Sequence, residues 1–403
     1  MENNPLKRDL VDRIIPFLGT DNVVVLHGAR QVGKTHILYY LQNHLQSQGQ
    51  LTHYIDLEDS RYLDLLNQGV DSFLDYLKKS GFSLSATSRL TVLIDEIQYL
   101  AKPAPFLKLI ADHHKYLQLI VSGSSSFNIK SKFSDSLVGR TVDFEVYPLS
   151  YAEFRRFQNM SLIISNELSY KEFIRYGGYP KIVLADSIPV KEKYLQQIID
   201  TYVKKDIFDL ARIKDTQKFN NLLKILASQS GQLLNIEQLG NISNLSAPTI
   251  KNYLNILEET YIIKLISPFS TSAKVEIGKT PKIFFYDTGL LQMLWLQKLG
   301  HSDIGNIFET SVFGELIKKY GTRTIHFWRN KNQNEIDFII KAGTGLIPIE
   351  VKFNFAQFTF SKLAFFLTKY KITQYFIVGL TGKKQSRHCL YPWELSQLNH
   401  QTQ

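Results

Sequence analysis

Cysteine is nearly absent: Cys389 is the only one in 403 residues. An intramolecular disulfide and a cysteine-rich zinc site are therefore excluded. No apolar run reaches the roughly 18 residues that crossing a bilayer requires. The opening stretch, Met1-Glu2-Asn3-Asn4-Pro5-Leu6-Lys7-Arg8, lacks the apolar core of a secretory leader. The expectation is a cytoplasmic chain with no membrane partner. Neither compositional extreme is present. At 44% hydrophobic and 21% charged the chain has the make-up of ordinary globular domains, which sets aside disordered and fibrous classes. At about 100–200 residues per domain, two or three domains are expected.

An acidic excess is also missing. The net charge is +10, and it is unevenly spread. Residues 1–150 carry 15 Lys and Arg against 16 Asp and Glu, residues 151–300 carry 19 against 14, and residues 301–403 carry 13 against 7. The positive excess lies outside the first 150 residues, which favours a polyanionic partner for the later part, DNA first.

One stretch carries specific chemistry. Residues 28–35 read Gly28-Ala29-Arg30-Gln31-Val32-Gly33-Lys34-Thr35, matching the phosphate-cradling pattern G-x-x-x-x-G-K-[ST]. The apolar run Val23–Leu26 leads in and the periodic stretch Ile37–Leu41 leads out, giving strand, glycine loop and helix. Gly28 and Gly33 let the backbone approach a phosphate. Consecutive N–H groups and the start of the following helix make a concavity for the anion. Lys34 is expected to reach the β- and γ-phosphates of ATP, and the Thr35 hydroxyl to ligate Mg²⁺.

The second element is Leu90-Thr91-Val92-Leu93-Ile94-Asp95-Glu96, a strand apolar enough to be buried on both faces, ending in two carboxylates. Asp95 is expected to hold Mg²⁺ beside Thr35, and Glu96 to orient and deprotonate the attacking water. Tyr116–Val121 reads as a further buried strand, running into Ser122-Gly123-Ser124-Ser125-Ser126. Arg140, before the strand Val142–Val146, reads either as an arginine reaching a phosphate, in its own chain or a neighbouring subunit, or as a surface residue. The first option leaves a homo-oligomer open.

Taken together, the loop 28–35, Leu93-Ile-Asp-Glu-Ile-Gln98, Ser122-Gly-Ser-Ser125, Gly139-Arg140 and Pro148-Leu-Ser150 resemble a family of prokaryotic AAA-type ATPases. Tyr176-Gly-Gly-Tyr-Pro180 and Lys282-Ile-Phe-Phe-Tyr-Asp-Thr-Gly-Leu290 resemble the second half of the same family, so the likeness covers nearly the whole chain. The resemblance implies a P-loop α/β core over residues 1–150 and a helical lid over 151–210. It also implies that a polar residue at the 121 strand end, Ser122 or Ser124, senses the γ-phosphate. Gly177-Gly178 reads as a lid hinge or a plain turn.

Residues 211–295 read as a winged helix. Phe219-Leu222-Leu223-Leu226 is amphipathic, Ile236–Leu239 is a short second helix, and Ser246 caps a third with Pro248 in its first turn. Two apolar strands, Tyr261–Ile266 and Lys282–Tyr286, follow. The third helix either enters a DNA groove or is architectural.

Residues 300–403 change pattern again, with a helix from Ile307 and strands at Thr324–Trp328, Glu335–Ile340 and Leu346–Lys352. Asp337 followed by Glu350-Val351-Lys352 is similar to the D…E-x-K arrangement of restriction-endonuclease-like domains. The two carboxylates would offer oxygen ligands to Mg²⁺, with Lys352 steadying a nucleophile or transition state. Glu309 resembles the extra acid such folds carry. The expected fold class is α/β: a P-loop NTPase parallel sheet with helical lid, a winged helix and a C-terminal restriction-endonuclease-like domain. The expected function is ATP hydrolysis coupled to action on DNA, or alternatively a nucleotide-dependent switch that binds a partner without cutting it.

Overall fold

A computed structural model of the chain describes residues 6–85, 89–123, 137–160, 164–207, 213, 215–270, 280–300, 305–330, 332–343 and 345–398. It divides into two compact units. The first comprises Met1–Tyr147 with Glu259–Tyr261, and the second Pro148–Glu258 with Ile262–Gln403.

The first unit is a five-stranded parallel sheet of β1 (Val23–His27), β2 (Leu51–Asp56), β3 (Leu90–Asp95), β4 (Leu117–Gly123) and β5 (Thr141–Glu145), in the order β2-β3-β4-β1-β5. β1, β3 and β4 are buried along their whole length. That explains their continuous Val, Leu and Ile runs, since helices cover both faces of such a sheet. Helices Lys34–Ser47, Ser60–Asn67, Val70–Lys79 and Pro103–His113 alternate with the strands. Phe73, Leu77, Leu107 and Ile110 from the last two pack into a core with Val92, Ile94 and Leu119. The apolar spacing Leu6, Leu10, Ile14, Ile15 and Leu18 is that of an amphipathic helix, but the helix is short: an α-helix over Leu10–Ile14 passes into a 3₁₀ turn at Ile15–Phe17. Pro16, lacking a backbone N–H, cannot extend an α-helical ladder.

Parallel pairing makes the carboxyl ends of all five strands share one edge. Ile94 pairs with Val121 and Leu26 with Ser122, so Asp95, Ser122 and Leu26 stand level along it. The glycine loop leaves β1 from this same edge.

The second unit begins with helices Tyr151–Phe157, Asn166–Tyr176, Pro180–Val183 and Ile188–Ile198, the last running into a π-helical stretch, Ile199–Asp206. Helices Thr216–Ser228, Ile236–Ser243 and Ala247–Glu259 follow, then an antiparallel hairpin of β6 (Ile263–Ile266) and β7 (Lys282–Phe285). The third helix is capped as its sequence implies, with the Ser246 hydroxyl accepting the Thr249 N–H. A five-stranded sheet closes the chain: β8 (Ile325–Arg329), β9 (Glu335–Ala342), β10 (Gly345–Asn354), β11 (Phe376–Thr381) and β12 (Cys389–Leu390), ordered β12-β11-β10-β9-β8. β8, β9 and β10 are antiparallel neighbours, whereas β10, β11 and β12 are parallel. Helices Gly305–Tyr320 and Phe360–Tyr370 pack against this sheet. Phe313 of the first stacks on Phe284 and Phe338 at centroid distances of 4.6 and 6.2 Å. Leu363 and Phe366 of the second cover Trp328 and Ile336.

The boundaries expected at 210 and 295 do not appear as separations in compactness. Long-range bonds knit this half together. Asp287, buried at the start of helix Thr288–Leu296, accepts the Leu290 N–H at 2.8 Å as an N-cap and the Gly178 N–H at 2.7 Å. A Cβ on Gly178 would meet Leu149 O at 2.5 Å, and one on Gly289 would collide with the Tyr176 carbonyl. The Tyr176–Pro180 and Lys282–Leu290 segments thus lock into each other, which replaces the hinge reading of Gly177-Gly178 with a packed junction.

Candidate functional site

The phosphate loop has the backbone its sequence demands. Gly33 has φ +97°, a left-handed value that side chains avoid, and helix Lys34–Ser47 starts immediately after it. A Cβ on Gly28 would run into the Val146 carbonyl. Lys34 is buried and folds back onto the loop, donating to Gly28 O at 3.1 Å and Ala29 O at 2.8 Å. Burial pulls its ammonium down to about 8, against the opposing charges of Glu96 and Asp95. A polyphosphate in the loop would substitute for both carbonyls and restore the charge.

Asp95 is the hub at the sheet edge. It accepts from the Thr35 hydroxyl at 2.5 Å, from the Tyr54 hydroxyl at 3.2 Å and from the Ser122 hydroxyl. The P-loop threonine and the strand-end aspartate are therefore in direct contact, the arrangement that can share one Mg²⁺ and its waters. Glu96 follows with φ +54°, an uncommon value for a residue bearing a side chain; such backbone strain costs roughly 1–3 kcal/mol and clusters at functional sites. Gln98 donates to its carboxylate. Two participants were not singled out by sequence reasoning. Tyr54, from β2, leaves no motif signal; Gln98 lies in a quoted motif, but nothing there gives its role.

Ser124 lies outside the described residues; Ser122, the other serine considered, is the one that bonds Asp95. Arg140 does not reach the loop within its own chain. It precedes β5, whose Thr141 pairs with Val23 at the amino end of β1. At about 3.3 Å per residue the strand sets it roughly 15 Å from the phosphate edge. There its Nε bonds Asp112 at 2.5 Å. The cis reading of Arg140 is corrected accordingly, because strand polarity puts it at the wrong end of the sheet.

In the second unit Asp337, Glu350 and Lys352 meet. The β9–β10 ladder reaches Ile349 opposite Phe338. Beyond that pair, the Asp337 carboxylate takes the Val351 N–H at 2.8 Å. Lys352 Nζ lies 2.9 Å from Glu350 Oε2 and 3.5 Å from Asp337 Oδ2. Burial and the neighbouring Asp337 charge push Glu350 up to about 9. Burial also acts on Asp337, but Lys352 and its hydrogen bonds outweigh it and hold that carboxyl below its ordinary range. The Lys352 ammonium thus faces both carboxylates. Asp337 and Lys352 line a cleft of about 390 Å³ together with Glu309, Phe308, Phe353 and Gln357, and Glu350 is buried beside Lys352.

Glu309 stands on helix Gly305–Tyr320 as expected, but it is engaged. Lys282 Nζ, buried on β7, lies 3.3 Å from Glu309 Oε1 and 2.7 Å from Glu335 Oε1. Arg329 pairs with the other oxygen of Glu335 at 3.3 Å. Lys282 opened a recognisable motif, but its role is visible only in three dimensions. Among the described residues no group of three or more His, Cys, Asp or Glu side chains is arranged to hold a metal ion. The adjacent Asp337 and Glu350 carboxylates are oxygen donors of the kind Mg²⁺ takes while keeping much of its hydration.

No helix among the described residues is long and apolar enough to cross a membrane. Comparison with known proteins divides the chain in three. Residues 20–155 match the family described as AAA domain, residues 167–303 a domain of unknown function (DUF8612), and residues 304–397 another (DUF4143). An uncharacterized protein of Haemophilus influenzae is 27% identical over 88% of this chain and 88% of its own length. One of Methanocaldococcus jannaschii is 28% identical over 83% of this chain and 75% of its own. Among solved structures, the Walker-type ATPase PABY2304 of Pyrococcus abyssi aligns with a TM-score of 0.47 at 16% identity, covering 72% of this chain and 95% of that one. DnaA from Aquifex aeolicus, bound to AMPPCP, gives 0.33 at 16%, covering 62% and 86%. The glycine loop, the Thr35–Asp95 contact and the five-stranded parallel sheet give the first unit a P-loop NTPase fold, and it is over this part, residues 20–155, that the chain matches the AAA domain family.

Proposed function

We propose that the protein hydrolyses ATP with Mg²⁺ in its first unit and acts on DNA through its second. Thr35 and Asp95 would hold the ion, which supplies charge neutralisation on the phosphates when bound. Lys34 leaves the loop carbonyls for the β- and γ-oxygens. Glu96, held by Gln98, orients the attacking water and takes its proton, and Ser122 keeps Asp95 in place. The three-helix and hairpin segment from Thr216 to Phe285 is read as a winged helix, and the sheet from β8 to β12 as a restriction-endonuclease-like domain.

The observation that carries the DNA reading is the meeting of Asp337, Glu350 and Lys352, with Asp337 and Lys352 lining a cleft, in the half of the chain that holds the positive excess. There the two carboxylates would hold Mg²⁺, whose chemistry is to activate water and stabilise charge on a phosphate. Lys352 would then pair with the developing charge. A nucleotide-dependent switch that binds without cutting is the second reading. It is favoured by the way Lys352 and Lys282 already neutralise the cleft's carboxylates without any ion.

The test is DNA binding and nicking with and without ATP and Mg²⁺. Mg²⁺-dependent nicking that disappears in Asp337→Ala while ATP turnover stays supports the first reading. Salt-sensitive binding with no nicking supports the second. No DNA affinity at low salt would overturn both DNA readings.

A further inference from the structure

Lys282 is out of place for a hairpin residue. Its backbone is fixed on two sides, paired with Ile266 of β6 and bridged to Leu233. Its side chain leaves the hairpin and ends, 3% exposed, between Glu309, which lines the neighbouring cleft, and Glu335. The Phe327 ring lies 5.7 Å from the ammonium. A buried charge so far from water persists only when paired, and here it has two acidic partners, Glu309 on a helix and Glu335 at the start of β9. Gly231 leaves room for this arrangement, since a Cβ there would come within 3.2 Å of Glu309 Oε2.

We propose that Lys282 is a built-in cation that claims Glu309 and Glu335, so that the cleft takes one divalent ion, on Asp337 and Glu350, and not two. This rests on the reading of the cleft as a cation-binding, nuclease-like site. Two-ion sites that clamp attacking and leaving oxygens need acids on both sides of the reacting phosphate. Glu309 is the acid that would serve the second ion, and the Lys282 ammonium already stands on it. Lys282 is thus a positioning residue. It holds Glu309 and Glu335 fixed and supplies positive charge beside the place a phosphate would occupy. Because it belongs to β7, the hairpin segment contributes a side chain directly to the cleft.

The experiment is Mn²⁺ binding to the full-length, nucleotide-free protein, followed by electron paramagnetic resonance titration of free ion. Wild type is expected to bind one Mn²⁺ that Asp337→Asn removes. Lys282→Met frees Glu309 and should raise the count to two. Lys282→Met/Glu309→Gln should return it to one, and Lys282→Arg should keep it at one. Glu309→Gln alone should leave the wild-type affinity within about twofold. If Glu309 were instead a ligand or its direct support, the loss would be about tenfold or more. That loss would overturn the proposal even if Lys282→Met did not fold, and so would a Lys282→Met protein that binds one ion with unchanged affinity. An Mn²⁺ signal indifferent to Asp337→Asn would instead overturn the underlying reading of the cleft.

Discussion

At the scale of single residues, Lys34 carries the phosphate loop's most specific contacts. Its buried ammonium rests on Gly28 O and Ala29 O and is pulled down to about 8. Polyphosphate favours the charged form, so binding raises this value and takes up a proton wherever free Lys34 is partly neutral. By titration arithmetic, about three quarters of molecules carry a neutral Lys34 at pH 8.5. Calorimetry of ATP binding there, in two buffers of different ionisation enthalpy, should show an uptake of roughly 0.7 proton that Lys34→Arg abolishes. ATP affinity should fall as pH rises through about 8. A binding heat independent of buffer would contradict this. Tyr54 makes a smaller case. Its hydroxyl is one of three on Asp95, so Tyr54→Phe should leave ATP bound and slow turnover by roughly tenfold, about 1.5 kcal/mol, the low end for a hydrogen bond to a charged group. A turnover equal to wild type would make Tyr54 a spectator. The legible residues were those whose chemistry is tied to a short spacing, such as Lys34-Thr35, Asp95-Glu96 and Glu350-Val351-Lys352. Tyr54, Glu335 and the role of Lys282 were not legible, because distant strands bring them in and no local pattern records that.

At the scale of elements, strand polarity decides what Arg140 can do. A residue preceding a strand parallel to β1 stands at the edge opposite the phosphate loop, and there Arg140 pairs with Asp112. Arg140→Ala should therefore leave ATP turnover of the isolated chain unchanged. A turnover loss that appears only as protein concentration rises would show that a second copy brings its own arginine to the site. The glycine junction is the other element-scale feature. Gly289→Ala drives a methyl into the Tyr176 carbonyl, which should cost about 2 kcal/mol, within the range for overpacking a filled site. Thermal unfolding is the check, and an unchanged Tm would mean that the junction yields. Buried strands such as β3 and β4 were readable because a sheet covered on both faces needs continuous apolar runs. Helix Phe360–Tyr370 and strands β11 and β12 were not read: Leu363, Phe366, Leu367 and Tyr370 do follow a helical period, but the further aromatics Phe358, Phe360 and Phe365 on other faces blur it.

At the scale of the whole molecule, charge is unevenly divided along the chain. The half with the phosphate loop is near neutral, and the positive excess belongs to residues 151–403. If those residues engage phosphates, affinity for DNA should fall with salt, by about tenfold or more between about 50 and 200 mM for two or more contacts. A flat salt response would point away from DNA. The claim on which everything else depends is that the sheet edge carrying Asp95 and Glu96 hydrolyses ATP. The direct measurement is steady-state ATP turnover alongside equilibrium ATP binding for wild type and Glu96→Gln. The account predicts unchanged ATP affinity and turnover lowered by roughly 10²- to 10⁴-fold, the worth of a general base. Turnover at the wild-type rate, or loss of ATP binding together with turnover, would contradict it.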